Sequence, residues 1–386
     1  MKVTTVAMGD VRFPYRLGTA CVDQIVDRLA ELEASRYLVV ADPTVAGLYG
    51  TDLVERVRRT AGPAELLVHE GGEENKGLGT LAELVETALR LGADRRSIVV
   101  ALGGGITGNI AGLMAALMFR GIRLVHVPTT IVAMLDSVLS LKQAVNSSVG
   151  KNLVGTFYQP VEVLADTAFL RTLSTRDIRS GLCEVVKNAL AIRPSMIDRL
   201  AAHLPLDQRY DDDVMRWIID ESIAAKAQVT EADVHERKQG LVLEYGHTVG
   251  HALEHAAKGE VSHGAAVGLG MLAEAEIARR LGLAGEDLIE LHRDLISRMG
   301  IDLAFPAHVS PADVQLRLRY DNKRGYLSGA GDDGYVMVLL KAPGVPLQSE
   351  GLPLTVADRA VVDAVVSEFA HPASAAAIGR RTRPEG

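Results

Sequence analysis

Short apolar runs alternate with amphipathic segments through the first half of the chain. The runs are rich in Val, Ile and Leu and lie at residues 35–42, 64–69, 97–102, 122–127 and 161–166. Such runs are typical of parallel strands that are buried on both faces. Between them, as in 23–33 and 80–91, apolar residues recur every three or four positions, which predicts helices that pack on a sheet. The first half is therefore predicted to be a Rossmann-like α/β domain.

The pattern changes after about residue 173, where helical periodicity dominates. Helices are predicted at residues 175–192, 212–229, 244–257, 263–281 and 285–299. A glycine-rich segment between two short β-prone stretches predicts a surface hairpin over 326–341. We therefore expect two domains, 1–172 and a mainly α-helical 173–370. The remaining tail, 371–386, is rich in Ala, Pro and Arg and predicts disorder.

Composition narrows the functional classes. Of the 386 residues, 48% are hydrophobic and 23% are charged, and the net charge of −8 argues against a surface that binds nucleic acid. The two cysteines, Cys21 and Cys183, cannot form a disulfide framework for a chain of this length. The chain shows no signal-peptide pattern and no apolar run of about 18 residues. We expect a cytoplasmic protein that binds neither nucleic acid nor membrane.

A glycine-rich turn follows one of the predicted strands. The segment Gly103–Asn109 (GGGITGN) comes directly after that strand and leads into a helical run. Glycines allow a pyrophosphate to approach the backbone closely, and the free amides of the next helix favour an anion. A tight strand-to-helix turn also selects glycine for its geometry alone. Asp42, at the end of an earlier strand, is suited either to a ribose hydroxyl or to capping the next helix.

Three histidines and a carboxylate in the second half suggest a metal site. His247 and His251 are four residues apart on one face of a predicted helix, and His263 begins the next helix. Imidazoles that converge from two helices suit zinc or a similar metal when a carboxylate completes the set. The candidate carboxylate is Glu184, in the apolar segment GLCEVVKNAL, and an ion pair with Lys187 is the alternative explanation. Spacing leaves open whether His247 pairs with His251 or with His263.

A dense set of polar residues lies between Asp136 and Asn152. It contains Lys142, Gln143, Asn146 and Lys151. Polar groups at the carboxyl ends of parallel strands suit a hydroxyl-rich anionic ligand. A solvated loop is the alternative interpretation.

These and further motifs are similar to those of a known family. They are GEENK (72–76), GGGITGN (103–109), MFRG (118–121), VPTT (127–130), DSVLSLKQAVN (136–146), GKNLVGTFYQP (150–160), CEVVKN (183–188), EYGHTVGHALE (244–254) and SHG (262–264). Over roughly residues 35–342 the chain resembles the sugar phosphate cyclases, whose best-known member is 3-dehydroquinate synthase. The resemblance implies an enzyme that binds a sugar phosphate, NAD and one divalent metal, zinc or cobalt, and that forms a homodimer.

The resemblance also implies roles for individual residues. The implied metal ligands are Glu184, His247 and His263. The implied dinucleotide contacts are Asp42, Glu73, Lys76, Gly104, Gly105, Asn109, Thr129, Thr130 and Lys151. The implied substrate and phosphate contacts are Asp136, Asn152, Lys187, Lys323 and, from the other subunit, Arg120. Lys142, Glu244 and His251 are the implied catalytic residues, with His251 handling a proton or orienting phosphate.

Two departures separate this chain from the dehydroquinate synthases. Those enzymes carry an arginine seven positions before the first metal histidine and an asparagine three positions before it, where this chain has Gly240 and Glu244. Loss of a guanidinium and gain of an acid disfavour a carboxylated substrate. Around SVLSLKQAVN (137–146) and Glu244, at Asn109 and in the segment 321–326, the chain instead resembles the subgroup that forms a carbocyclic ketone from D-glucose 6-phosphate for aminoglycoside antibiotics.

The subgroup implies a carbon–oxygen lyase reaction with four stages. NAD oxidises the sugar transiently, phosphate leaves, the hydride returns, and an intramolecular aldol step closes the ring. Glu244 is the candidate for a proton transfer that asparagine cannot perform, and orientation of a substrate hydroxyl is the alternative. The rival functions are a dehydroquinate synthase, a valiolone-forming cyclase, a metal-dependent polyol dehydrogenase and a sugar-phosphate-responsive binding protein.

Overall fold

The protein divides into two compact units. The structure, a computed structural model, describes residues 1–207, 209–328, 331 and 333–370. Unit 1 comprises Met1–Leu173 and the segment that ends at Ile223, and unit 2 comprises Ser174–Asp207 and the chain from Ala224 onward. The tail that we expected to be disordered, 371–386, lies outside the described residues.

Unit 1 is built around a mostly parallel sheet. Its strands are β1 (Lys2–Met8), β2 (Val11–Gly18), β3 (Tyr37–Ala41), β4 (Ala64–Val68), β5 (Ile98–Gly103), β6 (Arg123–Pro128), β7 (Lys142–Ser147), β8 (Gly150–Phe157) and β9 (Glu162–Asp166). Its helices are α1 (Val22–Glu31), α2 (Pro43–Val45), α3 (Thr51–Thr60), α4 (Leu78–Arg90), α5 (Gly105–Leu117) and α6 (Ile131–Leu135). The sheet has the order β1-β2-β9-β6-β5-β3-β4, with β1 antiparallel to β2. β7 and β8 form a separate antiparallel hairpin.

Alternate residues of the central strands pack on opposite faces of this sheet. Tyr37, Val39 and Ala41 of β3 belong to a core cluster with residues of α1 and α3. Leu38 and Val40 belong to a second cluster, with residues of α4 and α5. All five side chains are fully buried. Burial on both faces explains the continuous apolar runs, and it confirms the predicted α/β architecture.

Unit 2 is mainly helical. Its helices are α7 (Thr175–Ala191), α8 (Ile197–His203), the end of α9 (Asp212–Thr230), α10 (His247–Ala256), α11 (His263–Arg280), α12 (Glu286–Arg298), α13 (Pro311–Leu318) and α14 (Arg359–Ala370). Its strands are β10 (Gly334–Met337), β11 (Leu340–Ala342), β12 (Val345–Pro346) and β13 (Thr355–Asp358). A 3-10 segment, Gln239–Glu244, precedes α10, so the helix predicted at 244–257 starts three residues late. Among the described residues, no helix combines the length and the apolar character that a membrane crossing requires.

The hairpin predicted over 326–341 is wrong. Residues 326–328 are not a strand, β10 pairs with β13, and β11 pairs with β12. Pairing with β13 buries Tyr335, Val336 and Met337 in the core of unit 2. A distant strand therefore offered more apolar burial than the glycine-rich turn could provide locally.

Candidate functional site

Glycines allow three helices of unit 2 to approach one another closely. A Cβ at Gly264 of α11 would overlap the carbonyl oxygen of Ser180 on α7, and one at Gly270 would overlap the carbonyl oxygen of Gly246 at the start of α10. The backbone N–H of Gly264 also donates to Oγ of Ser180 at 3.0 Å. Such approaches are possible only without a side chain. They bring α7, α10 and α11 together around the predicted metal ligands.

Glu184, His247 and His263 face one another from these three helices. Oε1 of Glu184 lies 3.7 Å from Nε2 of His247 and 3.5 Å from Nε2 of His263. These distances exceed those of normal hydrogen bonds. Two ligand atoms bound to one tetrahedral zinc at about 2.0–2.1 Å are about 3.4 Å apart, so the spacing fits a shared metal. Oε1 of Glu184 is buried and lacks a hydrogen-bond partner within the described residues, a need that a cation would satisfy.

Neighbouring charged groups hold the outer atoms of these ligands. Nζ of Lys187 lies 2.5 Å from Oε2 of Glu184, so the structure contains the ion pair that the sequence offered as an alternative. The histidines contact the other oxygen, Oε1. A carboxylate oxygen of Glu254 lies 3.0 Å from Nδ1 of His263. That contact orients the ring and leaves Nε2 as the ligand atom. The contact of Glu254 with a metal ligand was not predicted from the sequence, although the seven-residue spacing of Glu254 from His247 places both on one face of α10.

His251 lies beside the same three residues. Its ring centroid is 5.0 Å from that of His247 and 5.7 Å from that of His263. One ring nitrogen from each histidine lies within 4.8 Å of the others. The contacts of Glu184 are with His247 and His263, which favours the ligand set that the resemblance implied.

Burial and charge act on these histidines in opposite directions. Burial lowers the pKa of His251 to about 3, helped by the nearby His247. Burial also acts to lower the pKa of His263, but hydrogen bonds and charge from Glu184 and Glu254 raise it to about 10. The carboxylates around His263 therefore favour a cation, either a proton or a metal, at this place.

Glu244 and Lys323 form an ion pair in the same unit. Nζ of Lys323 lies 3.4 Å from Oε2 of Glu244 and 3.1 Å from a carboxylate oxygen of Asp321. The lysine side chain is 1% exposed, and a buried ammonium requires such partners. The charge of Glu244 opposes the effect of burial on the pKa of both His247 and His251. The negative charge of Glu244 therefore acts on both histidines.

The loop before this segment leaves little room for a side chain at position 240. The carboxylate of Asp233 accepts three backbone N–H groups, including that of Gly240 at 2.9 Å. A Cβ at Gly240 would lie 3.0 Å from Oδ2 of Asp233 and 3.1 Å from Cβ of Glu236. A side chain at this position would require the side chains of Asp233 and Glu236 to shift by a few tenths of an ångström.

In unit 1 the glycine turn has features of both interpretations considered from the sequence. A Cβ at Gly103 would lie 2.7 Å from the side chain of Thr107, so packing alone demands that glycine. At Gly104 the nearest atom to a Cβ would be Cγ2 of Thr130, at 3.2 Å, and α5 starts directly after this residue. Oγ1 of Thr129 is buried and has no hydrogen-bond partner in the part of the chain that the structure describes. Free helix amides and an unsatisfied hydroxyl fit an anionic ligand.

Other predicted residues form a polar network at the β7–β8 hairpin. Nζ of Lys76 donates to Oδ1 of Asn152 at 2.5 Å. Nδ2 of Asn146 donates to Oε1 of Glu73 at 2.8 Å, and Oδ1 of Asn146 accepts the backbone N–H of Asn152 at 2.8 Å. Burial lowers the pKa of Lys76, and the charge of Lys151 adds to this effect. The polar stretch is therefore an ordered hairpin in contact with the GEENK segment, not only a solvated loop.

The remaining predicted residues occupy separate places in unit 1. Oδ1 of Asp42 accepts the N–H groups of Thr44 and Val45, so Asp42 caps α2, which is the alternative that the sequence allowed. Nδ2 of Asn109 donates to the carbonyl oxygen of Gly105 at 2.9 Å, within α5. Arg120 and Lys142 are exposed, and Asp136 directly follows α6.

Comparison with known proteins identifies the family of this chain. A family model for the N-terminal part of 3-dehydroquinate synthase matches residues 66–180, and one for its C-terminal part matches residues 181–324. A 2-deoxy-scyllo-inosose synthase from Streptoalloteichus tenebrarius is 68% identical over 374 residues, which are 97% of this chain and 97% of that protein.

Two solved structures are also similar. One is a 2-deoxy-scyllo-inosose synthase complexed with carbaglucose-6-phosphate, NAD+ and Co2+, with 36% identity, a TM-score of 0.88 and coverage of 95% of this chain and 100% of that one. The other is ValA, a 2-epi-5-epi-valiolone synthase from Streptomyces hygroscopicus with NAD+ and Zn2+ bound, with 25% identity, a TM-score of 0.81 and coverage of 96% and 100%. By its sequence and its fold, this chain belongs to the 3-dehydroquinate synthase family.

Proposed function

We propose that this protein converts D-glucose 6-phosphate into 2-deoxy-scyllo-inosose and inorganic phosphate. The relative at 68% identity is named for that product, and a similar solved structure holds carbaglucose-6-phosphate. The observation within this chain that carries the proposal is Glu244, an ionisable carboxylate that pairs with the buried Lys323 and whose charge acts on His247 and His251. Gly240 offers no guanidinium to a substrate carboxylate, which supports a substrate without one.

The donor sets in the two units fit the cofactors that this reaction needs. The glycine turn and the Thr129 hydroxyl of unit 1 suit NAD, and Glu184, His247 and His263 of unit 2 suit one divalent cation, zinc or cobalt. When bound, NAD takes a hydride from the sugar and returns it, while the cation polarises the oxygen of the alcohol that is oxidised. Three protein ligands leave a coordination position open for the substrate.

The chain's own residues would manage protons and phosphate. Glu244 would accept and return protons at the sugar carbons and oxygens, which an amide cannot do near neutral pH. His251, with a pKa of about 3, is a neutral imidazole that can accept a hydrogen bond or relay a proton. Lys323 would hold the carboxylate of Glu244 in place as well as a substrate oxygen. Lys142, an exposed cation at the start of β7, would hold the reacting oxygen.

A phosphate-release assay tests the proposal. The protein with D-glucose 6-phosphate, NAD and Co2+ should release phosphate without net accumulation of NADH, because the hydride returns to the sugar. A chelator should abolish release, and added Co2+ should restore it. Parallel reactions with sedoheptulose 7-phosphate and with the carboxylated substrate of dehydroquinate synthases measure the rival cyclase activities. Release from either of these but not from D-glucose 6-phosphate would refute the assignment, and steady NADH accumulation would indicate a polyol dehydrogenase.

We also propose that the protein is a homodimer that uses the outer edge of β8. All but the first residue of β8 are exposed, including Leu153 at 63% and Phe157 at 43%, and β8 belongs to a two-stranded sheet. An exposed apolar strand edge favours pairing with a second copy, which would supply Arg120 to its partner's substrate. Light scattering should show a dimer for the wild type and a monomer for Leu153→Asp. The matched control is Val345→Asp, at a 48% exposed position of β12, which should remain a dimer.

The proposed reaction implies a cytoplasmic enzyme of aminoglycoside antibiotic biosynthesis. Cys21 and Cys183 are both buried and unpaired, as a reducing compartment allows. Deletion of the gene from the source organism should stop that organism's production of its aminoglycoside antibiotic. Feeding 2-deoxy-scyllo-inosose should restore production, and failure of feeding would separate the protein from this pathway.

A further inference from the structure

Glu274 is a buried carboxylate on α11 that the proposed reaction does not use. Its side chain has an exposed fraction of 0%. Oε2 accepts the backbone N–H of Gly246 at 2.7 Å, and Oε1 accepts that of Val249 at 3.4 Å. Both N–H groups lie at the start of α10, where helix amides lack intrahelical partners. The carboxylate therefore satisfies donors of one histidine-bearing helix from a position on another.

The two helices meet backbone to backbone near this contact. A Cβ at Gly270 of α11 would overlap the carbonyl oxygen of Gly246, and one at Gly250 of α10 would lie 2.9 Å from the carbonyl oxygen of Ala266. Without side chains between them, a shift of one helix changes the distance between the backbones directly. α10 starts at His247 and α11 starts at His263.

We propose that Glu274 is a positioning residue for the metal site, which holds the first turn of α10 against α11 and so sets the separation of His247 and His263. The inference rests on the metal site proposed above. Glu274 acts through Gly246, the residue directly before His247. Burial raises the pKa of Glu274 to about 8, and in either protonation state the carboxyl offers an oxygen to the N–H of Gly246. Glutamine therefore keeps an acceptor for Gly246 and loses only the longer contact, with Val249.

The test measures the Zn2+ affinity of the metal-free, full-length protein by competition with a chromophoric chelator. Glu274→Gln keeps an acceptor for Gly246 and should leave the dissociation constant within about threefold of the wild-type value. Glu274→Met has a similar size but no such acceptor and should raise the constant about tenfold or more. The matched control is Glu276→Met on the same helix, which loses ion pairs with Arg279 and Arg280 and should leave Zn2+ affinity unchanged.

A second readout follows the geometry of the ligands. The visible absorption of bound Co2+ depends on the arrangement of its ligands, so Glu274→Met should change this spectrum, whereas Glu276→Met should not. If Glu274→Met lowers thermal stability as Glu276→Met does but binds both metals like the wild type, Glu274 is only structural and the inference is overturned. Failure of the wild type to bind either metal would instead overturn the proposed metal site.

A shorter side chain keeps the test decisive if Glu274→Met does not fold. Glu274→Asp retains the carboxylate but lacks one methylene, so its oxygens fall short of the N–H of Gly246, which glutamine still reaches. Its Zn2+ dissociation constant should lie above that of Glu274→Gln. Equal affinity of the Asp and Gln variants would contradict the proposed positioning role.

Discussion

Replacement of Glu244 by Gln should separate the chemistry of the site from its stability. The side chain is 25% exposed, and its contact with Nζ of Lys323, at 3.4 Å, is longer than that of Asp321, at 3.1 Å. Since Asp321 remains in Glu244→Gln and the amide oxygen of glutamine can still accept from Lys323, the cost in unfolding free energy should be about 1 kcal/mol. Loss of a general acid–base group should lower turnover about a hundredfold to ten-thousandfold, or about 3–5 kcal/mol in activation free energy. The kinetic effect should therefore exceed the structural effect several times over.

The assay combines phosphate release from D-glucose 6-phosphate with NAD and Zn2+ titrations and thermal unfolding. Glu244→Gln should bind both cofactors like the wild type while turnover falls. Asp321→Asn is the matched control, because it removes a carboxylate from Lys323 but leaves Glu244 in place. This control should lose comparable stability and much less turnover. Turnover of Glu244→Gln within about threefold of the wild-type value would refute the proton-transfer role.

Three further results are expected. Glu254→Gln should weaken Zn2+ binding about tenfold or more in chelator competition, because an amide holds Nδ1 of His263 less firmly than a carboxylate, and unchanged affinity would exclude that role. Zn2+ affinity of the wild type should rise about tenfold per pH unit as the pH approaches 10, because the metal must displace a proton from His263. Burial acts to lower the pKa of His263, but Glu184 and Glu254 raise it to about 10. An affinity that does not change between neutral and alkaline pH would contradict this. Gly264→Ala should lower the free energy of unfolding by about 2–3 kcal/mol in chemical denaturation, because its Cβ would overlap the carbonyl oxygen of Ser180 and push α7 from α11. Wild-type stability of this variant would show that the helix contact is not tight.

Residue types and periodicity predicted much of the site as well as the fold. The apolar runs correspond to β3, β4, β5, β6 and β9 because a strand buried on both faces has no polar alternation. The motifs identified the family, and with it the candidates Glu184, His247 and His263. The hairpin β7–β8 escaped detection because β8 is exposed along nearly its whole length and so lacks a burial pattern.

The sequence by itself determined that one unit is α/β and the other mainly helical, because periodicity is a local property. It also identified the side chains that can bind a metal or an anion or transfer a proton, because side-chain type is local too. Only the tertiary structure decided which histidines face Glu184, that Glu254 contacts His263 and that Glu274 contacts the start of α10, because these contacts join residues on different helices. It also decided that β10 pairs with β13 instead of forming a local hairpin. In each case the outcome depends on distances that packing sets, such as the glycine-mediated approach of α7, α10 and α11, and such distances have no signature in spacing along the chain.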